Sequence, residues 1–379
     1  MANPGDLDTS FAGTGKKAIS FGGTDVARSL LVQPNGRIVV AGGGAPGGSF
    51  CVARLRTNGT LDTTFASGGK RVIGFGGGDE SASSAALQQD GKIMLAGHSD
   101  LRVAVARLKP NGALDTTFSG NGKMTLSWGA LSRASAVLVL RSGKILLAGF
   151  SGPEGGNIQV ARLNANGALD TTFGTGGKAT IDFGGDDFGL AMARQANGRI
   201  IVVGHSSATG AVVARLRANG KLDPDFAGDG RLTLPGGGVA RAVLIQPDRK
   251  IVVTGNAGGS AMMTVTRLNR NGSPDTTFDG DGTAMIDFGS LADLAGDAER
   301  RPDGKIVVAG STQADEDVAV ARLNANGSPD ATFGAAGKTT VDFGVATFGN
   351  AVALQPNGRI VVAGERTGGN DFALARLLG

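Results

Sequence analysis

The sequence predicts an all-β fold, a seven-bladed β-propeller with four antiparallel strands per blade, and three observations carry that reading. The first is a stretch, Leu61-Asp62-Thr63-Thr64-Phe65, that returns in variant form with its aspartate at Asp8, Asp62, Asp115, Asp170, Asp223, Asp275 and Asp330. The spacing is 52 to 55 residues, in the range of propellers and solenoids. The second is a run in each copy that is apolar on both faces, such as Ile38-Val39-Val40 or Ile360-Val361-Val362, which needs cover on both sides. The third is that seven whole units fill the 379 residues with no polar capping repeat, which an open solenoid needs and a ring does not. The units run 7–60, 61–113, 114–168, 169–221, 222–273, 274–328 and 329–379, as one closed domain.

In the unit 61–113 each element has a local cause. The motif leads through Gly69-Lys70 into a short strand at 71–75, and a glycine-rich acidic connection spans 76–80. A second strand runs through 85–88. Asp90-Gly91 then lies between two strand-like runs, a strong hairpin signal that expects positive φ at both central residues. The apolar third strand, 92–97, a variable loop and a fourth strand, 103–108, follow, and Asn111-Gly112 returns the chain to the next motif. Two departures stand out. Arg249 replaces the turn glycine, so a different turn is expected there. Pro235-Gly236 stands where other units have an aromatic, so the fifth unit is expected to be the least regular.

The fourth strand repeats an arginine on an apolar background. Six of the seven have a motif aspartate eight residues downstream, across an Asn-Gly turn. The expected structural pairs are Arg54 with Asp62, Arg107 with Asp115, Arg162 with Asp170, Arg215 with Asp223, Arg267 with Asp275 and Arg322 with Asp330. Arg376 and Asp8 are left over, and a closed ring brings them together at its seam. A residue needed seven times holds blades together. Chemistry needs an odd one out.

Bulk composition excludes several classes. The pI of 9.4 reflects a net charge of only +4 in a chain with two His, one Cys and no Tyr, and no basic cluster offers a nucleic-acid surface. Cys51 is alone, excludes an internal disulfide, and reads as a small apolar strand residue. No apolar run approaches the ~18 residues of a membrane helix, and residues 1–5 are no secretory signal. A monomer is expected.

Because strands alternate in direction, the first and third loops of each unit share a face, and that face carries the variation. Binding residues are expected there: Asp186, Asp187, Phe188, Asp315, Glu316, Asp317, the histidines His98 and His205, and Trp128, alongside Asp79-Glu80 and the segment 150–157. The histidines read as exposed loop residues rather than a metal pair, and Trp128 as core in place of a phenylalanine. Asp279-Gly280-Asp281-Gly282 has oxygen ligands at alternate positions, which suits calcium, but lacks a terminal glutamate. No cofactor and no catalytic residue is expected, and calcium is the one ion the sequence leaves open. The chain reads as no enzyme.

The unit NG-x-LDTTF-x-x-x-GK, PDGKIVVAG, VARL-x-x-NG resembles the bacterial delta-60 repeat, a β-propeller family of unknown function, across residues 3–379. The resemblance implies a seven-bladed propeller and an origin in large secreted or cell-surface bacterial proteins. It brings no activity, cofactor or catalytic residue. The expectation is therefore a non-catalytic binding scaffold for a protein or glycan partner. The alternatives are a lectin-like carbohydrate-binding propeller and a metal-dependent hydrolase or lactonase with a central-channel site.

Overall fold

Each repeat yields four strands because three glycine-bearing connections interrupt its apolar runs. In the computed structural model, which describes residues 2–152, 156–259, 262–290, 292–313, 316–367 and 370–379, the chain forms 28 strands. The first, β1 (Lys16–Ile19), belongs to the last blade. Blade 1 is β2 (Val26–Val32), β3 (Ile38–Gly44), β4 (Ser49–Leu55) and β5 (Lys70–Ile73); blade 2 is β6 (Glu80–Leu87), β7 (Ile93–Ser99), β8 (Arg102–Leu108) and β9 (Lys123–Leu126). Blade 3 is β10 (Ser132–Val139), β11 (Ile145–Ser151), β12 (Asn157–Leu163) and β13 (Lys178–Ile181); blade 4 is β14 (Asp187–Arg194), β15 (Ile200–Ser206), β16 (Gly210–Leu216) and β17 (Arg231–Thr233). Blade 5 is β18 (Val239–Ile245), β19 (Ile251–Asn256), β20 (Met263–Leu268) and β21 (Thr283–Ile286); blade 6 is β22 (Asp293–Arg300), β23 (Ile306–Thr312), β24 (Val318–Leu323) and β25 (Lys338–Val341). Blade 7 is β26 (Thr347–Leu354), β27 (Ile360–Arg366) and β28 (Asp371–Leu377), completed by β1.

The blade is offset from the sequence repeat: the short strand after each motif closes the preceding blade as its outermost strand. The first strand of each blade is innermost, and these seven strands pack on one another round the ring, with β26 against β2 closing it. Both faces of a blade are therefore buried. Val39, Ala41 and Val52 of blade 1, for example, interlock with Ala82, Ile93 and Leu95 of blade 2, which explains the runs with no polar face. No helix among the described residues is long and apolar enough to cross a membrane.

Two turn expectations need correction. In the Asp90-Gly91 hairpin only Gly91 has positive φ, at 80°, and its N–H donates to the Gln88 carbonyl at 3.0 Å. This is a type I turn closed by a left-handed glycine, with Asp90 Oδ1 accepting the Lys92 N–H at 3.2 Å, so the aspartate needs no positive φ. Arg249 keeps the same turn instead of adopting another: its φ is 70°, and its N–H donates to Gln246 at 2.8 Å. The flanking strands β18 and β19 hold the register, and the strain of a left-handed side chain, about 1–2 kcal/mol, is absorbed. Near Pro235, β17 shortens to three residues.

The recurring arginines sit in a shared box. Arg54 Nε donates to Asp62 Oδ2 at 2.8 Å, Arg107 to Asp115 at 2.8 Å, Arg162 to Asp170 at 2.6 Å, Arg215 to Asp223 at 2.7 Å, and Arg322 to Asp330 at 2.6 Å. Arg267 bonds Asp275 in the same way, and Arg376 Nε lies 2.9 Å from Asp8 across the seam. Each guanidinium also lies over the motif phenylalanine, 4.6–5.0 Å from its ring centre. Arg107, Arg162 and Arg267 reach on to a carbonyl in the next blade's turn, at 2.6 Å. A second cation, unforeseen from sequence, joins each aspartate from the residue after the turn glycine or Arg249: Lys144, Lys250 and Lys305, for instance, each reach it at 2.7 Å.

Candidate functional site

The first and third connections of a sequence unit, which are the link into a blade and that blade's second connection, meet on one face. In blade 2, Asp100 Oδ1 accepts the Gly78 and Asp79 N–H groups at 2.9 and 3.1 Å; in blade 4, Ser207 Oγ accepts the Asp186 N–H at 2.8 Å. The residues expected to bind ligand divide on this face. Asp187 is buried at 1 % exposure, and its Oδ2 accepts the Phe183 N–H at 2.6 Å. Asp293 and Glu80 do the same for Phe288 and Phe75, so this carboxylate shapes the loop. Trp128 is half-buried against the core between blades 2 and 3. Asp186 Oδ1 accepts the Gly156 N–H at 3.2 Å, Glu316 is exposed, and Asp317 is half-buried, its N–H donating to Thr312 Oγ1 at 3.3 Å. Asp315, with residues 153–155 of the 150–157 segment, lies outside the described residues.

The histidines are strand residues, not exposed loop residues. His98 lies in β7 at 6 % exposure. Its Nε2 is 3.4 Å from Asp79 Oδ1, and Asp79 Oδ2 accepts Arg133 Nη2 at 3.0 Å. Burial, then the charge of Arg133, pushes the His98 pKa below the ordinary histidine value despite Asp79, with Arg28 adding to the fall, so the ring is neutral at neutral pH. Arg28 and Asp79 also line a cavity of about 380 Å³ walled by Gly43, Gly44 and Ser81. Four side chains thus converge from three blades: Arg28 from β2, Asp79 and His98 from blade 2, and Arg133 from β10. His205, in β15, donates its Nδ1–H to the Gly238 carbonyl at 2.9 Å and stacks on Phe188, 6.5 Å between ring centres. Phe188 in turn meets Phe150 edge-on at 4.8 Å. The mouth of the channel therefore has a charged side and an aromatic side.

Sequence reasoning missed Arg28, Arg133, Asp297 and Glu299, although a signal was there: none recurs at its place in every copy of the innermost strand. Where blade 6 has Asp297 and Glu299, blades 3 and 5 have Ala136 with Leu138 and Ala242 with Leu244. Asp297 Oδ2 accepts the Val352 N–H of the next blade at 3.1 Å, as Ser29 and Ser84 accept the N–H groups of Ala85 and Val137. Glu299 lines a cavity of about 550 Å³ on the opposite face, with Leu31, Leu354 and Pro34. Burial raises the Asp297 pKa to about 6, and burial together with the Asp297 charge raises Glu299 to about 7. Raised carboxylates destabilise the native state as pH climbs from the unfolded values near ~4 through the folded ones, and do nothing below ~4. The variant Glu299→Gln is accordingly expected to match the parent in urea melts at pH 4 and to exceed it at pH 8. Equal stabilities at both pH values would refute the assignment.

Among the described residues no group of three His, Cys, Asp or Glu side chains could hold an ion. In the 279–282 loop, Asp281 Oδ1 accepts the Thr283 N–H at 2.8 Å, as Asn121 does for Lys123 in blade 2. Cys51 is fully buried in β4, and burial first, then Asp25, pushes its thiol up to about 12.

Residues 33–65, 88–118, 141–173, 195–226, 246–278, 301–333 and 355–379, more than half the chain, match the family described as domain of unknown function (DUF5122) beta-propeller. The protein belongs to this DUF5122 family. Each matched segment starts near the end of an innermost strand and ends at a motif phenylalanine or at the last strand, so the family pattern is the pattern of the arginine–aspartate box. No curated protein sequence matches the chain. Among solved structures, selenomethionine-substituted virginiamycin B lyase from Staphylococcus aureus is similar, with a TM-score of 0.62 at 8 % identity over 96 % of this chain and 98 % of the lyase. A catalytically inactive variant of that lyase with quinupristin gives 0.60 at 8 % identity, over 96 % and 99 %. A Lactobacillus plantarum protein gives 0.56 at 14 % identity, over 93 % and 95 %. Such identities speak for the fold alone. They are nonetheless enough to correct one expectation. A fold shared over nearly its whole length carries catalysis in the lyase, so the repetition of this DUF5122 chain gives no ground for reading it as a non-enzyme.

Proposed function

We propose that this DUF5122 propeller binds a small acidic ligand at the loop-face mouth of its axial channel. Arg28 and Arg133 supply cationic donors, neutral His98 a further hydrogen-bonding group, and Asp79 holds His98 and Arg133 in place. The observation that carries the reading is that these four residues meet from three blades and that the set as a whole recurs nowhere else round the ring: blade 4 keeps only Asp186 and His205 at the places of Asp79 and His98, and blade 5 only Arg241 at the place of Arg28. Architecture repeats here, so a non-repeating charged cluster needs another cause. Phe188 and Phe150 offer the body of the ligand an apolar wall. An acidic sugar, with a ring for that wall and a carboxylate for the arginines, meets both demands.

Calorimetric titration with glucuronate and galacturonate, against glucose as the neutral control, tests this. The acids are expected to bind and glucose not. Arg133→Ala is expected to weaken the acids by about 10–100-fold, the loss of a charge-assisted hydrogen bond. Equal binding of acid and neutral sugar, or an unchanged Arg133→Ala, overturns the reading. Product analysis of the same mixtures reads out turnover.

A further inference from the structure

The seven innermost strands share a defect at one height. Each pairs with its neighbour across a bulge, between Ala27 and Ser29, Ala82 and Ser84, Ala134 and Ala136, Gly189 and Ala191, Ala240 and Ala242, Ala295 and Asp297, and Gly349 and Ala351. The extra residue is left out of the ladder, on a strand whose free edge faces only the channel. The collar so formed contains Arg28, Ser83, Ser135, Leu190, Arg241 and Asn350, with Gly296 in blade 6, and has no acidic member. Arg28 and Arg241 are exposed to the channel while Ala27 and Ala240 beside them are buried. They stand on blades 1 and 5, three steps apart one way round the ring and four the other, hence on facing walls. Neither guanidinium has a hydrogen-bond or ion-pair partner among the described residues. The hydroxyls of Ser83 and Ser135 have none either.

An enclosed cation with no counter-ion is costly, and proteins pair such groups or use them. Enclosure alone lowers the Arg241 pKa, with no carboxylate opposing it. Arg28 belongs both to the collar and to the mouth cavity, so the two are continuous.

Resting on the reading of the mouth as an acid-binding site, we propose that the ligand carries two acidic groups, one held at the mouth by Arg28 and Arg133, the other reaching the collar at Arg241. The Ser83 and Ser135 hydroxyls complete a collar suited to oxyanions, whether carboxylate or phosphate, while the Asn350 amide is held by the Ala27 carbonyl at 3.0 Å.

The test is a ladder of linear dicarboxylates of two to six methylenes, each titrated against the monocarboxylate of equal length, with alkyl phosphates and bisphosphates in parallel to separate the two sources. At least one diacid is expected to bind the parent protein ten-fold or more tighter than its monoacid. In Arg241→Met that advantage is expected to collapse below three-fold, with monoacid binding unchanged. Near-UV circular dichroism and the melting temperature of Arg241→Met check that the ring still closes. A parent with no diacid advantage, or an advantage that survives Arg241→Met, overturns the proposal and leaves the mouth reading standing. Diacid binding lost in Arg241→Met but untouched in Arg133→Ala supports the collar and overturns the mouth. Absence of all acid binding overturns both.

Discussion

Removal of residues 1–20 is expected to abolish the closed monomer. Those residues supply β1, whose four positions pair with β28 from Lys16 against Ala375 to Ile19 against Phe372. They also supply Phe11 and Ile19, buried in the core that joins blades 7 and 1, and Asp8, the partner of Arg376. Two large apolar side chains are worth roughly 1.5–3 kcal/mol each when fully buried. Stranding a buried arginine adds about 3–5 kcal/mol. The total, roughly 6–11 kcal/mol, is most of the 5–15 kcal/mol by which a domain is ordinarily stable. The deletion also bares β28 as an edge, and an unpaired edge recruits other chains. We therefore expect the truncated chain to lose at least ~10 °C in Tm and to self-associate in size-exclusion chromatography, with synthetic peptide 1–20 restoring the monomer. A truncated chain that elutes and melts like the parent would mean that β1 is an ornament on a ring closed by other contacts.

The strand pattern, the seven-fold division and the seam pair were legible in the sequence because each is dictated by local chemistry repeated seven times. Repetition amplifies a weak signal: one Arg–Asp spacing of eight means little, six mean a box. The same amplification hid the candidate site. Arg28 and Arg241 occupy a bulge, and nothing in Val-Ala-Arg-Ser or Val-Ala-Arg-Ala announces that the arginine is squeezed out of the ladder toward the channel. His98 looked like a loop residue because Gly97 precedes it and Ser99-Asp100 follow. In fact Gly97 pairs with Ala82 and Ala104 inside the sheet, and the strand runs on to Ser99. Which strand is innermost depends on the packing of blades 50 residues apart, and that alone decides whether Asp297 and Glu299 face solvent or a channel. Arg249 misled for another reason. A steric rule about one residue was asked to outweigh two strands that already fix the turn between them.

Asp115→Ala is expected to cost about 3–5 kcal/mol, because it leaves Arg107 buried at 5 % exposure without its counter-ion. Asp115 is held by Arg107 at 2.8 Å, by Lys92 at 3.4 Å, and by the Thr117 hydroxyl and N–H at 2.8 and 3.2 Å. Thr117 Oγ1 in turn accepts from Arg107 at 2.9 Å, so the box is one network. Replacing both partners, Arg107→Met with Asp115→Leu, is expected to cost less than Asp115→Ala alone, since neither charge is then stranded. Urea melts of the three variants check this, and a single-mutant loss below ~1 kcal/mol would make the pair no better than a surface salt bridge. The boxes lie a whole blade apart, so disrupting two should add, and two exhaust the stability of most domains. Acid reaches all seven at once. Burial raises the Asp115 pKa, but the Thr117 bonds, Arg107 and Lys92 outweigh it and hold the group at about 2. Asp8, Asp62, Asp170, Asp223, Asp275 and Asp330 are likewise lowered. A lowered carboxylate stabilises fully above its unfolded pKa of ~3.9 and loses that contribution as pH falls through its folded value. Stability should therefore drop steeply between pH ~4 and ~2, with seven protons taken up on unfolding. In the double replacement at blade 2 that slope should shrink by one proton of the seven, which an acid titration of the urea midpoint resolves. An unchanged slope would place Asp115 outside the set that makes this ring sensitive to acid.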